Sequence, residues 1–129
     1  MKVVYSEQIP LRAITLRQLQ EGACFPTDNL LKDIENARDK IVSLLRDYER
    51  VKDFGGHIYS FSIVANSLDM THEGTGTIEI EFPIQIFNGC RDLNDSLADK
   101  MKLHVSVEFD NGTARITGEE AYTRDMDEI

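Results

Sequence analysis

The chain has 129 residues, of which 41% are apolar and 29% are charged, the proportions of an ordinary soluble globular domain. No apolar run approaches the roughly 20 residues that cross a membrane, and the N-terminus lacks the apolar stretch of a signal peptide. We therefore expect one domain over residues 1–129, located in the cytoplasm.

The net charge of −9 is unevenly distributed along the chain. Residues 1–65 carry nine basic and nine acidic side chains, whereas residues 66–129 carry five basic and fourteen acidic ones. The whole imbalance therefore belongs to the second half. Such acidity speaks against direct binding of nucleic acid, which needs a basic footprint, and favours a basic protein partner.

The N-terminal segment, residues 1–26, predicts two short elements. Val3–Tyr5 favours a short strand. Thr15 and Gln18 have the spacing of a capping box at the start of a helix, and Gly22 is typical of the residue that follows a helix end.

The strongest periodic signal spans residues 27–53. Apolar residues recur there at steps of three and four: Leu30, Leu31, Ile34, Ala37, Ile41, Leu44, Leu45, Tyr48 and Val51. Mixed charges on the opposite side are typical of a solvated helix face. The pattern predicts one long amphipathic helix of about 25 residues, about 37 Å long, which packs across a sheet or against a second copy of itself.

From residue 57 onward the apolar period changes from 3.6 to 2, which predicts four antiparallel strands over residues 57–118. Ile58–Ala65 is expected to be the first strand. Its core face would carry Tyr59, Phe61, Ile63 and Ala65.

The second strand is expected after Gly74-Thr75-Gly76. These glycines resemble the start of a phosphate-binding loop, but they lead into a strand and no lysine follows, so we interpret them as a flexible turn. Pro83 cannot donate a ladder hydrogen bond and predicts an edge or a bulge. The core face would carry Ile78, Ile80, Phe82, Ile84 and Ile86.

Residues 92–100 favour a short helical turn. Alternation then resumes, with Leu103, Val105, Val107 and Phe109 on one face. Asp110-Asn111-Gly112 predicts a hairpin turn. Residues 119–129 form an acidic tail without a clear pattern, which we expect to be frayed or a short helix.

Together these elements predict an α+β fold, in which the long amphipathic helix packs on a four-stranded antiparallel β-meander and a short strand and helix precede it. A long helix followed by a curved sheet that wraps it is similar to the cystatin-like and helix-grip arrangements. The resemblance is one of architecture and implies no activity.

Five polar residues form the candidate partner-binding surface. Alternation places Glu79, Glu81, His104 and Glu108 on the sheet face opposite the core, and Asp110 follows in the adjacent turn. A histidine beside carboxylates is also typical of general acid–base chemistry. Because a half-solvated sheet displays such residues without any chemistry, we assign no catalytic residue.

A second candidate site is a pocket between helix and sheet, lined by Tyr48, His57, Tyr59 and Cys90. Cys24 and Cys90 lie far apart in sequence, so we expect reduced thiols. The three histidines and two cysteines lack the spacing of a metal site. We therefore expect neither a metal nor another cofactor.

Three functions remain open at this stage. The first is a non-enzymatic interaction module that presents an acidic sheet face to a basic partner, as an inhibitor or an immunity-like protein would. Two kinds of protein are similar to this chain in size and charge: immunity proteins, which neutralise nucleases, and phage-encoded inhibitors, which occupy the nucleic-acid channels of other proteins. The alternatives are a small-molecule-binding or catalytic domain with a helix–sheet pocket, and a structural or assembly subunit. The long helix and the edge at Pro83 also predict a homodimer.

Overall fold

A computed structural model describes residues 2–20, 28–52, 56–71, 73–88 and 93–122. Its helices are α1 (Ala13–Gln20), α2 (Asp28–Asn36) and α3 (Arg38–Lys52). Its strands are β1 (Lys2–Val3), β2 (Ser6–Pro10), β3 (Gly56–His57), β4 (Ser62–Ile63), β5 (Asp69–Met70), β6 (Thr75–Asn88), β7 (Leu93–Glu108), β8 (Thr113–Thr117) and β9 (Ala121–Tyr122). The expected α+β class is confirmed.

The main sheet is antiparallel and runs in the order β2-β8-β7-β6-β3, with β4 and β5 also paired to β6. β1 and β9 form a separate two-stranded ribbon. The prediction of a four-stranded meander is therefore wrong in two respects. The N-terminal β2 joins the sheet beside β8, and three two-residue strands over residues 56–70, β3, β4 and β5, stand in place of the single strand expected over Ile58–Ala65.

The expected single long helix is interrupted at Ala37. The Ala37 N–H donates to both Asp33 O and Ile34 O, each at 3.1 Å, a shared geometry typical of a tightened helical turn. On either side of this turn, α2 contacts α1 and β2, whereas α3 contacts β2, β3 and β9. The interruption thus divides the predicted apolar stripe between two sets of partners.

The core lies between the helices and one face of the sheet, which we call the inner face. Ile78, Ile80, Phe82 and Ile84 of β6 are at most 4% exposed, as their alternation predicts. They pack with buried residues of the neighbouring strands and of the helices, including Ile9, Leu30, Ile34, Ile41, Leu44, Leu45, Leu103, Val105, Val107 and Ile116. Each such side chain contributes about 1.5–3 kcal/mol to stability through burial.

The helical turn expected over residues 92–100 is wrong, because from Leu93 onward these residues belong to β7. β6 and β7 pair without a bulge over fourteen residues, from Thr75 opposite Ser106 to Asn88 opposite Leu93. Backbone pairing with β6 therefore outweighs the weak local helical pattern, as tertiary context often does.

The strand expected over Ile58–Ala65 is also wrong, since only β4 forms there. Ile58 and Phe61 are both 2% exposed, so the buried residues are spaced by three rather than two. Tyr59, which was expected in the core, is 52% exposed, and Ala65 is exposed as well.

Two arginines of α3 account for this irregular path. Arg46 donates from Nε to Ile58 O at 2.9 Å, and Arg38 donates from Nη2 to Phe61 O at 2.6 Å. The Arg38 guanidinium also lies 4.7 Å from the centre of the Phe61 ring. These carbonyl groups are thus satisfied by α3 instead of by a neighbouring strand.

Pro83 lies where pairing lapses on one side of β6. The Val64 N–H donates to Glu79 O at 2.9 Å, so odd-numbered residues of β6 turn their backbone polar groups toward β3 and β4. The pairs described on that side involve residues 76–77, 80–81 and 85–86 and skip Pro83. On the other side Pro83 lies opposite Ala98 in the unbulged ladder. Proline therefore occupies a local edge, and no bulge in the β6–β7 ladder accommodates it.

Gly74-Thr75-Gly76 is a turn and the start of β6. Gly74 has a φ of +86°, which favours glycine. A Cβ at Gly76 would overlap the carbonyl oxygen of Asp69 in the neighbouring β5. Both glycines thus have steric roles at this corner of the sheet.

The capping box expected at Thr15 and Gln18 is wrong. α1 begins earlier, at Ala13, and Thr15 is 1% exposed inside it. The Thr15 hydroxyl donates to Asp33 Oδ2 at 2.5 Å, while Gln18 Oε1 accepts from Asn29 Nδ2 at 2.6 Å. Both side chains therefore join α1 to α2, and Gly22 lies outside the described residues.

Asp33 is the centre of this polar link. It is 2% exposed and, besides the Thr15 hydroxyl, accepts hydrogen bonds from the Arg12 backbone at 3.2 Å and from Arg12 Nε at 2.6 Å. A buried carboxylate needs such partners, because an isolated buried charge is costly. Asp33 thereby fixes the first turn of α1 against α2.

The predicted hairpin at Asp110-Asn111-Gly112 is confirmed. Glu108 pairs with Thr113, and Glu108 O accepts from the N–H groups of Asn111 and Gly112 at 3.1 and 3.0 Å. The region expected to be a frayed tail includes β9, which pairs with β1. Residues 123–129 lie outside the described part of the chain.

We predict that Gly76→Ala lowers the free energy of unfolding by about 1–3 kcal/mol, because the added methyl group forces β5 away from β6. Urea unfolding monitored by circular dichroism measures the loss. Ser106→Ala, an exposed change on the neighbouring strand, serves as control and is expected to shift stability by less than about 0.5 kcal/mol. Equal stability of both variants would contradict the close approach at Gly76.

We predict that Asp33→Ala lowers the free energy of unfolding by about 1–3 kcal/mol, because it leaves the buried Thr15 hydroxyl without its acceptor. Asp39→Ala removes an exposed aspartate from the next helix and is the matched control. Chemical unfolding of the two variants compares them directly. A loss no larger for Asp33→Ala than for Asp39→Ala would show that the link between α1 and α2 does not stabilise the fold.

Candidate interaction surface

The sheet face opposite the core is the candidate site, and we call it the outer face. It is formed by side chains of β2, β8, β7 and β6 that alternate with the core residues: Ser6, Gln8, Glu79, Glu81, Lys100, Lys102, His104, Ser106, Glu108 and Arg115. All of them are exposed or half-buried. Four of the predicted partner-binding residues, Glu79, Glu81, His104 and Glu108, therefore share one face.

Strand register places a lysine opposite each glutamate of β6. Glu79 pairs with Lys102, and Glu81 pairs with Lys100. Lys100 Nζ lies 3.3 Å from Glu81 Oε1. Because both side chains are about half exposed, this ion pair contributes little to stability, about 0–1 kcal/mol. Its main effect is to order the charges along the face.

Glu108 anchors the opposite end of the outer face. Its Oε2 accepts hydrogen bonds from Asn111 Nδ2 at 2.9 Å and from Gln8 Nε2 at 3.1 Å, and its Oε1 lies 3.5 Å from Arg115 Nε. The hydrogen bond from Asn111, followed by the charge of Arg115, lowers the pKa of Glu108 below its ordinary value. As the pH falls, Glu108 therefore stays ionised to a lower pH than a typical glutamate does.

His104 lies between two threonines. Its cross-strand neighbours are Thr77 of β6 and Thr117 of β8. Glu79 belongs to the next row of the sheet, opposite Lys102. The register thus places no carboxylate directly opposite His104, and the acid–base arrangement considered from the sequence is not formed by cross-strand pairing.

Asp110 lies beyond the outer face, at the end of the sheet. The Val107 N–H donates to Gly74 O at 2.8 Å, which brings the loop carrying Glu73 beside the turn carrying Asp110. Both acidic residues are exposed. This end of the sheet is therefore acidic in a way that the outer face is not.

The outer face itself is balanced in charge. Among the described side chains, Glu79, Glu81 and Glu108 are offset by Lys100, Lys102 and Arg115. Other exposed acids of the second half of the chain lie at the margins of the sheet: Asp69, Glu73, Asp110, Glu119 and Glu120. The outer face is thus a pattern of alternating charges set within an acidic molecule.

Sequence reasoning missed two basic members of this pattern, Lys100 and Arg115. Lys100 was assigned to a helical turn, which hid its place on the outer face. Continued alternation from Lys102 back to Lys100 and Ala98 was the available signal. Arg115 lies in the strand that returns from the hairpin. Because it directly precedes the apolar Ile116, alternation places it on the face opposite the core.

The predicted pocket residues lie in different places. Tyr48 is a core residue, 2% exposed, whose hydroxyl accepts the Tyr5 N–H at 3.0 Å and whose ring packs edge-on against that of Tyr5 at 5.0 Å. The space it lines between α3 and the sheet is a cavity of about 10 Å³. Cys90 and Cys24 lie outside the described residues.

His57 and Tyr59 line a separate surface groove of about 450 Å³ beside α3. Their rings stack with centres 6.0 Å apart, and the Arg46 guanidinium lies 5.7 Å from the centre of the Tyr59 ring. Such aromatic and arginine groups are common at protein interfaces. Glu49 and Ile58 line both this groove and the small cavity beside Tyr48, so the two spaces are neighbours.

Neither a metal centre nor a membrane-spanning helix is found in the described ranges. No three His, Cys, Asp or Glu side chains described there converge on a point where a metal ion would be held. None of the described helices is both long enough and apolar enough to cross a membrane.

Comparison with protein-family models, with curated proteins and with solved structures gave no significant match. The candidate site is therefore described by its own geometry.

Burial raises the pKa of the Tyr48 hydroxyl above its ordinary value of 10.0. The folded state then keeps a proton that the unfolded state loses, so we predict that the free energy of unfolding falls as the pH rises above about 10. Tyr48→Phe should weaken this dependence on pH, whereas Tyr59→Phe, which removes an exposed hydroxyl, is the control. Denaturant unfolding at several alkaline pH values measures how the free energy of unfolding depends on pH. If this dependence were the same in Tyr48→Phe as in the wild type, the buried setting of the hydroxyl would be contradicted.

Proposed function

We propose that the protein is a non-enzymatic interaction module whose outer face binds a partner protein of net positive charge, as an inhibitor or an immunity-like protein would. The observation that carries this proposal is the contrast between the two faces of the sheet. The inner face is filled by the apolar core, whereas the outer face presents polar side chains in rows fixed by strand register.

The charge of the molecule supports a basic partner. A net charge of −9 attracts a positively charged protein over a distance and raises the rate of association. Because the outer face is balanced, net charge alone does not select the partner at contact. The order of glutamate and lysine side chains along β6 and β7 supplies that selectivity, since like charges placed against one another are costly.

The core between α3 and the sheet has no room for the metabolite pocket considered as an alternative, although open surface grooves of about 380, 450 and 590 Å³ lie beside the helices. Pockets for small molecules have volumes of about 300–1,000 Å³, whereas the cavity beneath Tyr48 measures about 10 Å³. A substrate entering there would have to displace core residues such as Leu45 and Phe82.

We predict that Glu79→Lys combined with Glu81→Lys abolishes binding of the partner. The immobilised protein captures partners from a cell lysate, mass spectrometry identifies them, and affinity is then measured with the purified partner. The wild-type affinity should fall steeply as salt concentration rises, because exposed charges are screened.

Glu35→Lys combined with Asp39→Lys is the matched control. It makes the same change in net charge on the helices, and it also removes one exposed ion pair, between Glu35 and Arg38, as the first variant removes that of Glu81 and Lys100. We expect the control to retain most of the affinity. Equal loss in both double variants would mean that net charge alone drives binding, and full binding by the outer-face variant would refute the site.

A further inference from the structure

β7 carries a long backbone edge. β8 pairs with β7 only over His104–Glu108, whereas β6 pairs with it as far as Leu93. Between Leu93 and Leu103, no strand in the described part of the chain lies on the β8 side of β7. This edge is as long as most complete strands.

Even-numbered residues of β7 direct their N–H and C=O groups toward this edge. The Lys102 N–H is turned away from β6 and donates to Glu119 Oε1 at 3.0 Å. Since alternate residues of an antiparallel strand face opposite sides, residues 94, 96, 98 and 100 face the same way. The Lys100 N–H donates to Asp99 Oδ1 at 2.8 Å. The N–H groups of Lys100 and Lys102, which lie nearest β8, are therefore already hydrogen-bonded to carboxylates.

The other borders of the sheet differ from this one. Along β2, Lys40 Nζ donates to Gln8 O at 2.9 Å. Near β3 and β4, arginines of α3 hold the carbonyl groups of Ile58 and Phe61. β3, β4 and β5 are each two residues long. Short strands and charged plugs are common ways to block edge pairing, and the Leu93–Ala98 part of β7 has neither within the described structure.

We propose that this edge pairs with the same edge of a second copy of the chain, antiparallel and about a two-fold axis at Ser96. Such a contact is self-complementary, because each strand offers the donors and acceptors that the other requires. Pairing about Ser96 places Asn94 opposite Ala98 and stops before the occupied donors of Lys100 and Lys102. Pairing about Lys100 would instead place two lysines against each other, which is unfavourable.

Ser96→Pro tests the proposal. The Ser96 N–H faces the edge rather than β6, so proline removes a donor of the dimer without removing one from the β6–β7 ladder. Pro83 already occupies an equivalent outward position on β6. Ser96→Ala keeps the N–H and is the control.

Light scattering over a range of concentrations gives the result. The mass of the wild type and of Ser96→Ala should rise toward twice the 14.7 kDa of the chain. The dissociation constant of Ser96→Pro should increase by about tenfold or more. A wild-type mass of 14.7 kDa at every attainable concentration would overturn the proposal, as would a Ser96→Pro dimer of unchanged affinity.

Hydrogen exchange of the wild type gives a second test that needs no variant. The amides of residues 94, 96 and 98 should exchange more slowly as the protein concentration rises, and those of the outer-face strand β8 should not change. Protection that is independent of concentration would contradict the pairing. Both experiments use the protein alone, so their results do not depend on whether the proposed partner binds the outer face.

Discussion

The fourteen-residue pairing of β6 with β7 is the constraint on which the rest of the structure depends. Side chains alternate along both strands, so one register decides at once which residues enter the core and which reach solvent. Ile78 and Leu103 face inward, while Glu79 and Lys102 face outward. A slip of one residue would exchange the two sets, and burial of the isoleucines therefore fixes the order of charges on the outer face.

The helices in the described part of the chain cover the inner face, and α3 contributes more than apolar contacts. Arg38, Lys40 and Arg46 donate to backbone carbonyl groups along the borders of the sheet. These bonds replace strand pairing where the chain is irregular. The sheet is thereby tied to α3 at its borders and left open on its outer face. A patterned face on a paired sheet suits protein recognition, because few groups have to be ordered on binding.

The sequence was informative where a strict period governs burial. The two-residue period of β6 identified its core side chains and also Glu79 and Glu81, and the glycine of the hairpin identified the turn before β8. It was misleading where distant groups decide the path. Nothing near Tyr59 in sequence reveals that Arg46 holds Ile58 O, and that bond determines which neighbour is buried. Likewise, the strand at residues 93–100 depends on its partner in β6. The helix break at Ala37 gives α2 contacts with α1 and β2 and gives α3 contacts with β2, β3 and β9.

We propose that a partner binds at the outer face rather than at the helices or their grooves. The most direct measurement is a nuclear magnetic resonance titration of the isotope-labelled protein with the purified partner. We predict that the shifted amide signals cluster on β6, β7 and β8, with the largest changes near Glu79, Glu81 and His104. Shifts confined to α2, α3 and the groove lined by His57 and Tyr59 would contradict it.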